Sequence, residues 1–189
     1  KWKMNPIKNK KDLQSLIDDL RNSAFNYLDK YSTSKQQLRI YLLKKFSKKN
    51  DLKINRGELL NLIDIVMRSL ESKNLISDEF YSYSKSKVFL RRGYSLNKIR
   101  YSLAKKGVEQ KYISGTISKI EKNNSNTDFY SALKICYKRK IGPCRAESNR
   151  EIFYKKDMGV LARSGFSYEI SKKILSLPKP EFKKLYKLV

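Results

Sequence analysis

Histidine is missing from this sequence altogether. Its absence excludes a Ser-His-Asp or Cys-His nucleophile system, an imidazole general base and the His-x-Glu zinc site of nucleobase deaminases. Cysteine occurs twice, as Cys136 and Cys144, too few for a disulfide scaffold or a four-thiolate zinc site, so both are read as reduced thiols. No apolar run approaches the roughly 18 residues of a membrane span. The opening Lys1-Trp2-Lys3-Met4-Asn5-Pro6 leads into further lysines without the apolar core of a signal peptide. The expectation is a soluble, cytoplasmic protein that uses no membrane, metal or cofactor.

What is abundant is charge of one sign. Across 189 residues, 43 Lys and Arg face 18 Asp and Glu, a formal net charge of +25. Such an excess calls for an anionic partner: nucleic acid, an acidic protein surface or an anionic membrane face. Lysine outnumbers arginine 32 to 11, and asparagine, isoleucine and tyrosine are also plentiful. An A+T-rich coding sequence drifts to that mixture without selection, so the arginines point to function more sharply than the lysines. At 40% hydrophobic residues the chain has enough apolar side chain for packed cores, which argues against a disordered basic tail.

With only seven glycines and four prolines, helices meet few breaks. Leu13, Leu16, Ile17, Leu20, Ala24, Tyr27, Leu28 and Tyr31 recur three or four apart, the stripe of a long amphipathic helix. Ser34-Lys35-Gln36-Gln37 and Asn55-Arg56-Gly57-Glu58 have the form of capping boxes opening two more helices. Three helices in about 60 residues make one small unit, and the unit recurs. Ser34, Ser95 and Ser167 each have a leucine eight residues on, at Leu42, Leu103 and Leu175. Arg92-Gly93-Tyr94-Ser95 and Ser164-Gly165-Phe166-Ser167 share an order of glycine, aromatic, serine. Glycine suits the left-handed residue that ends one helix, serine caps the next, and the aromatic between them serves as a staple. Further helices are expected over about 78–91, 109–121 and 151–163, with a third module opening near Thr127. The fold class expected is all-α: three tandem three-helix, helix-turn-helix-like repeats forming an elongated, curved molecule. The divisions are a basic segment 1–10, repeats over 11–74, 75–122 and 123–177, and a short terminal helix within 178–189.

Over roughly residues 20–180 the chain resembles the RecX regulators of the RecA recombinase. The likeness is carried by Ala24-Phe25-Asn26-Tyr27-Leu28 followed by Ser34 to Phe46, and by the junction Leu75-Ile76-Ser77-Asp78-Glu79-Phe80. It continues through Arg91-Arg92-Gly93-Tyr94-Ser95, Ile99-Arg100, and Leu103 to Lys106-Gly107-Val108, and closes on Gly165-Phe166-Ser167-Tyr168-Glu169-Ile170. Gln37 stands where the family commonly has an acidic residue, Asn74 where it has glycine, and an insertion falls near 50–55. The resemblance implies a non-enzymatic modulator that binds the RecA–DNA filament and restrains its growth, ATP hydrolysis and strand exchange.

The densest arginine group is Arg91, Arg92 and Arg100, accompanied by Lys98, Lys105 and Lys106. A second group, Lys138, Arg139, Lys140 and Arg145, flanks the Gly142-Pro143 connection. These ten are the candidate contacts to filament or DNA, since arginine's planar fork suits phosphates and carboxylates alike. A solvated helix face and a merely soluble loop are the plainer alternatives. Of the aromatics, Tyr27, Phe46, Phe80, Tyr112 and Phe129 fall on apolar stripes and are expected in cores, whereas Tyr101 and Tyr168 fall off them. No Gly-x-x-x-x-Gly-Lys phosphate loop is present, so the chain is not expected to hydrolyse ATP. The expected partners are the RecA filament and single- and double-stranded DNA, met by a monomer. A helix-turn-helix DNA-binding protein with no recombinase partner is the alternative.

Overall fold

The computed structural model describes residues 10–48 and 54–188, and among these it is helical with no strand. The basic segment 1–10, apart from its last residue, and the insertion near 50–55, apart from Ile54 and Asn55, lie outside the described residues. The helices are α1 Lys10–Lys30, α2 Lys35–Phe46, α3 Arg56–Ser72, α4 Asp78–Arg91, α5 Leu96–Ala104, α6 Gln110–Asn123, α7 Thr127–Arg139, α8 Glu147–Arg163, α9 Tyr168–Leu175 and α10 Lys179–Tyr186. Helix α8 starts four residues before the expected 151, because the Gly-Pro connection is absorbed in a 3-10 turn, Gly142–Cys144. The chain groups into two compact units, Lys1–Tyr81 with Lys106–Val108, and Ser82–Lys105 with Glu109–Val189.

In the first unit the apolar stripes of α1, α2 and α3 meet in one core. Leu20, Leu38, Leu42, Ile63 and Leu70 are buried, with Phe46 at the end of α2. Burial of each such side chain contributes about 1.5–3 kcal/mol before entropy is counted. The Asn55 box forms in full: Asn55 Oδ1 accepts from Glu58 N–H at 2.9 Å and Glu58 accepts from Asn55 N–H at 3.1 Å. The Ser34 box forms by half. Ser34 Oγ accepts from Gln37 N–H at 3.3 Å, but Gln37 turns its Oε1 to the Tyr81 hydroxyl. Helix α3 ends on Asn74, whose φ of 55° supplies the left-handed residue where the family pattern has glycine.

In the second unit α7, α8, α9 and α10 surround Leu133, Cys136, Leu161, Ile174 and Phe182. Helices α5 and α6 pair through Ile99, Leu103, Ile113 and Ile117, all nearly inaccessible. The expected turns form. Gly93 and Gly165 adopt φ of 80° and 84°, and Tyr94 and Phe166 close the turns with N–H bonds to Phe89 and Leu161 carbonyls. Ser95 Oγ then accepts from Lys98 N–H at 3.1 Å and Ser167 Oγ from Ile170 N–H at 3.3 Å. Phe80, expected in a core, is instead 72% exposed, because Ile76, Asp78 and Tyr81 take the buried positions around the start of α4. Tyr101 and Tyr168 are exposed as expected.

Candidate functional site

The N-termini of α2 and α5 are held by carboxylates that the sequence does not place there. Asp78, 2% exposed, accepts from Lys35 N–H at 2.9 Å in the first unit. In the second, Asp128 accepts from Leu96 N–H at 2.7 Å. In each case an acid in the first turn of a later helix satisfies the first free donor of an earlier one and complements its dipole. The cap serines serve twice. Ser34 Oγ donates to the Lys106 carbonyl, and Ser95 Oγ donates to the Ser164 carbonyl at 2.8 Å. The caps Ser34 and Ser95 are thus buried and the first N–H of each helix is spent on a carboxylate, while Gln36 and Asn97 beside them stay exposed.

The basic residues sort differently. Lys106 belongs to the first unit; the other nine candidates lie in the second. Arg91 and Arg92 close α4 with exposed side chains, and no carboxylate pairs with either among the described residues. The turn they lead into is pressed against α7: a Cβ added at Gly93 would sit 3.1 Å from both the Ser131 carbonyl and Lys134 Cβ. Helix α7 is the one that ends in exposed Lys138 and Arg139. Lys134 lies one helical turn before Lys138 on the same face. The fold thus brings the turn after Arg91 and Arg92 against the helix that carries the second basic group, although about 45 residues separate them in sequence.

Three candidates are partly engaged. Lys98 Nζ rests over the Tyr94 ring at 4.5 Å from its centroid, and Lys140 Nζ over Tyr137 at 4.4 Å. Arg100 donates to Asn97 Oδ1 at 3.1 Å and stands 3.7 Å from the Glu121 carboxylate. Lys105 follows α5 and is exposed.

Arg145 differs from the rest. Its guanidinium makes two 2.7 Å bonds to Asp157, whose side chain is 1% exposed, and stacks over the Phe153 ring. Asp157 also accepts from Gly142 N–H at 2.8 Å. Burial would raise the Asp157 pKa, but the Arg145 guanidinium and the Gly142 N–H together hold it below the ordinary carboxylate value. This pair ties the Gly-Pro connection to α8, so the fork expected to meet a partner serves the fold itself. Lys140, beside it, takes a left-handed φ of 54° to end α7.

Sequence reasoning also passed over a cleft between α4, α6 and α7. Tyr83, Lys87, Asn123, Asn124, Tyr130 and Lys134 line it, and it adjoins the Gly93 turn through Ser131 and Lys134. Its lining runs from Tyr83 through Lys134 to Leu188 after α10, and lysine beside tyrosine is common in this composition, so no local signal marks it. Among the described residues no group of three acidic or thiol side chains could hold a metal ion, and no helix is long and apolar enough to cross a membrane. Burial pushes both thiols up in pKa, Cys136 most deeply, while Lys140 and Lys179 pull Cys144 part of the way back.

Comparison with known proteins agrees in kind. The chain is 31% identical over 160 residues to a protein of Myxococcus xanthus (strain DK1622) named Regulatory protein RecX, across 82% of this chain and 83% of the relative. A protein of the same name from Clostridioides difficile (strain 630) is 26% identical over 175 residues, 89% of this chain and 74% of its own. Another, from Clostridium perfringens (strain SM101 / Type A), is 26% identical over 157 residues, 82% and 66% respectively. No family model matches the chain, and no solved structure matches it.

Proposed function

The chain belongs to the RecX family, whose relatives above carry the name of regulatory proteins, and we propose that it regulates by binding the RecA–DNA filament. In this reading it restrains ATP hydrolysis and strand exchange by occupancy, as a monomer and with no chemistry of its own. The observation that supports it best is the pairing of the exposed Arg91-Arg92 turn with α7, the helix ending in Lys138 and Arg139. Two basic groups drawn from distant parts of the chain onto one unit make a surface for phosphates and carboxylates, and a filament of protein on DNA offers both. Arg91, Arg92, Lys98, Arg100, Lys105, Lys138, Arg139 and Lys140 are the contacts assigned to it. Lys106 sits in the other unit, and Arg145 is held by Asp157.

Lys35 N–H and Leu96 N–H, taken by Asp78 and Asp128, cannot serve a phosphate, which weighs against recognition through these two helix ends. The filament reading is tested by RecA ATP hydrolysis on single-stranded DNA with the protein added. Inhibition is expected to rise with protein and to weaken as salt is raised. An unaltered ATPase rate at several-fold excess over filament would refute it.

A further inference from the structure

We infer that the cleft between α4, α6 and α7 receives one unpaired nucleotide of a single-stranded nucleic acid, with the base against Tyr83 or Tyr130 and an adjoining phosphate on Lys87 and Lys134. The inference rests on the nucleic-acid side of the function proposed above and names the form of nucleic acid engaged. The cleft measures ≈ 450 Å³, inside the about 300–1,000 Å³ range of small-ligand sites. That volume suits a base and its sugar and is far too small for a duplex.

The chemistry of the lining is mixed in the way a nucleotide needs. Tyr83 and Tyr130 are half-buried, so each keeps ring surface open for stacking. Phe129 meets the Tyr130 ring edge-on, with centroids 5.9 Å apart and planes at 78°, which fixes the ring's tilt. Lys87 Nζ waits over Tyr83, 4.3 Å from its centroid, and its flexible stem can carry the charge from ring to phosphate. Asn123 is exposed, and Asn124 uses Oδ1 on Asn126 N–H at 2.9 Å, leaving its amide NH₂ for a base edge. None of the lining side chains is acidic, so nothing there repels phosphate.

Position supplies the second argument. Leu90 and Lys134 line the cleft and Lys134 also meets the Gly93 turn, so the turn that follows Arg91 and Arg92 lies beside it. A strand with one base in the cleft can lay its following phosphates toward those arginines. A paired, stacked base cannot enter, because its faces are covered, whereas single strands bind by stacking on aromatic rings.

The experiment compares oligothymidylate, an abasic oligomer of the same length and charge, and a duplex, each by fluorescence anisotropy with the full chain. Oligothymidylate is expected to bind about tenfold more tightly than the abasic strand. Tyr83→Ala or Tyr130→Ala is expected to reduce that preference, and Tyr130→Phe to keep it. Lys134→Ala is expected to lower the salt slope by about one for every strand alike. Equal binding of thymidylate and abasic strands overturns the cleft while leaving the filament reading intact, and no binding to any strand removes both the cleft and the DNA contact. Photocrosslinking of a 5-iodouracil strand to the unmodified protein gives an independent readout. Adducts at Tyr83 or Tyr130 support the site, and adducts confined to the first unit overturn it.

Discussion

The two units are built alike and charged unlike. Each seats a serine cap on a distant carbonyl and closes a helix N-terminus with a carboxylate from a later helix. Yet the first carries 18 Lys and Arg against 10 Asp and Glu, a net +8, while the second carries 25 against 8, a net +17. Both units pair some of their cations, as Arg39 with Asp64 in the first and Arg145 with Asp157 in the second, so the difference lies in the surplus. The second leaves Arg91 and Arg92 exposed beside α7. A shared joint with unequal charge separates the problem of holding helices together from that of meeting an anion.

The comparison breaks most forcefully at Asp157. Asp157→Ala leaves Arg145 and Gly142 N–H without their acceptor inside the second unit, at a cost of about 3–5 kcal/mol. Urea denaturation followed by circular dichroism, with limited proteolysis to locate the opening, is expected to show new cleavage around the Gly-Pro connection. Cleavage that begins in the first unit would contradict the assignment of this joint to the second.

The glycine that follows each buried joint offers a smaller test. Gly165→Ala places a Cβ 2.5 Å from Ser95 Oγ at a φ of 84°, adding a displaced cap to left-handed strain, in all about 2–3 kcal/mol. Gly107→Ala brings its Cβ against Gln36 Cβ at a φ of 74°, a clash near the backbone with the same left-handed strain, for a similar about 2–3 kcal/mol. Thermal melts of the two variants should fall by comparable amounts, and an unchanged melt in either would contradict the close approach at that joint.

Charge reversal then asks whether the surplus matters. Arg91→Glu with Arg92→Glu is expected to weaken the proposed inhibition of RecA at least tenfold, about 1.4 kcal/mol. Lys44→Glu with Lys48→Glu makes the same change of charge in the first unit and is expected to act less than twofold. Equal effects would mean that net charge alone, and not its placement, drives binding.

How much of this the sequence disclosed follows from range. As caps and turn residues, Ser34, Ser95, Ser167, Gly93 and Gly165 act on neighbours one to three residues away, so those roles are legible from spacing, whereas the second bonds of Ser34 and Ser95 to the Lys106 and Ser164 carbonyls are not. The acids that close α2 and α5 come from 43 and 32 residues away, and Asp78 could be read only as a complement to its own helix dipole. Arg145 illustrates the same gap: its charge and its place beside Gly142 and Pro143 were plain, but its partner lies on the next helix. Phe80 shares the period of an apolar stripe and still faces solvent, since periodicity cannot say which of two adjoining faces is covered. The arginines were legible as residues, whereas their meeting with α7 through the Gly93 turn is a tertiary fact.

The finest test separates the two carboxylates of the second unit by the sign of their titration. Asp157 has its pKa lowered on folding by Arg145 and Gly142 N–H, so its contribution is full above the unfolded value near 3.8 and fades as pH falls through the folded one. Asp128 is opposite. Burial raises its pKa against the pull of Leu96 N–H, so native stability declines as pH rises from the unfolded value through the raised one. Asp157→Asn should therefore flatten the acid loss of stability, and Asp128→Asn should steepen it. At neutral pH Asp128→Asn is expected to cost under about 1 kcal/mol, since asparagine keeps an oxygen for Leu96 N–H without the buried charge. Stability measured by urea from pH 2 to 7 in both variants decides the point, and slopes that change in the same direction would show that the two carboxylates do not act as opposites.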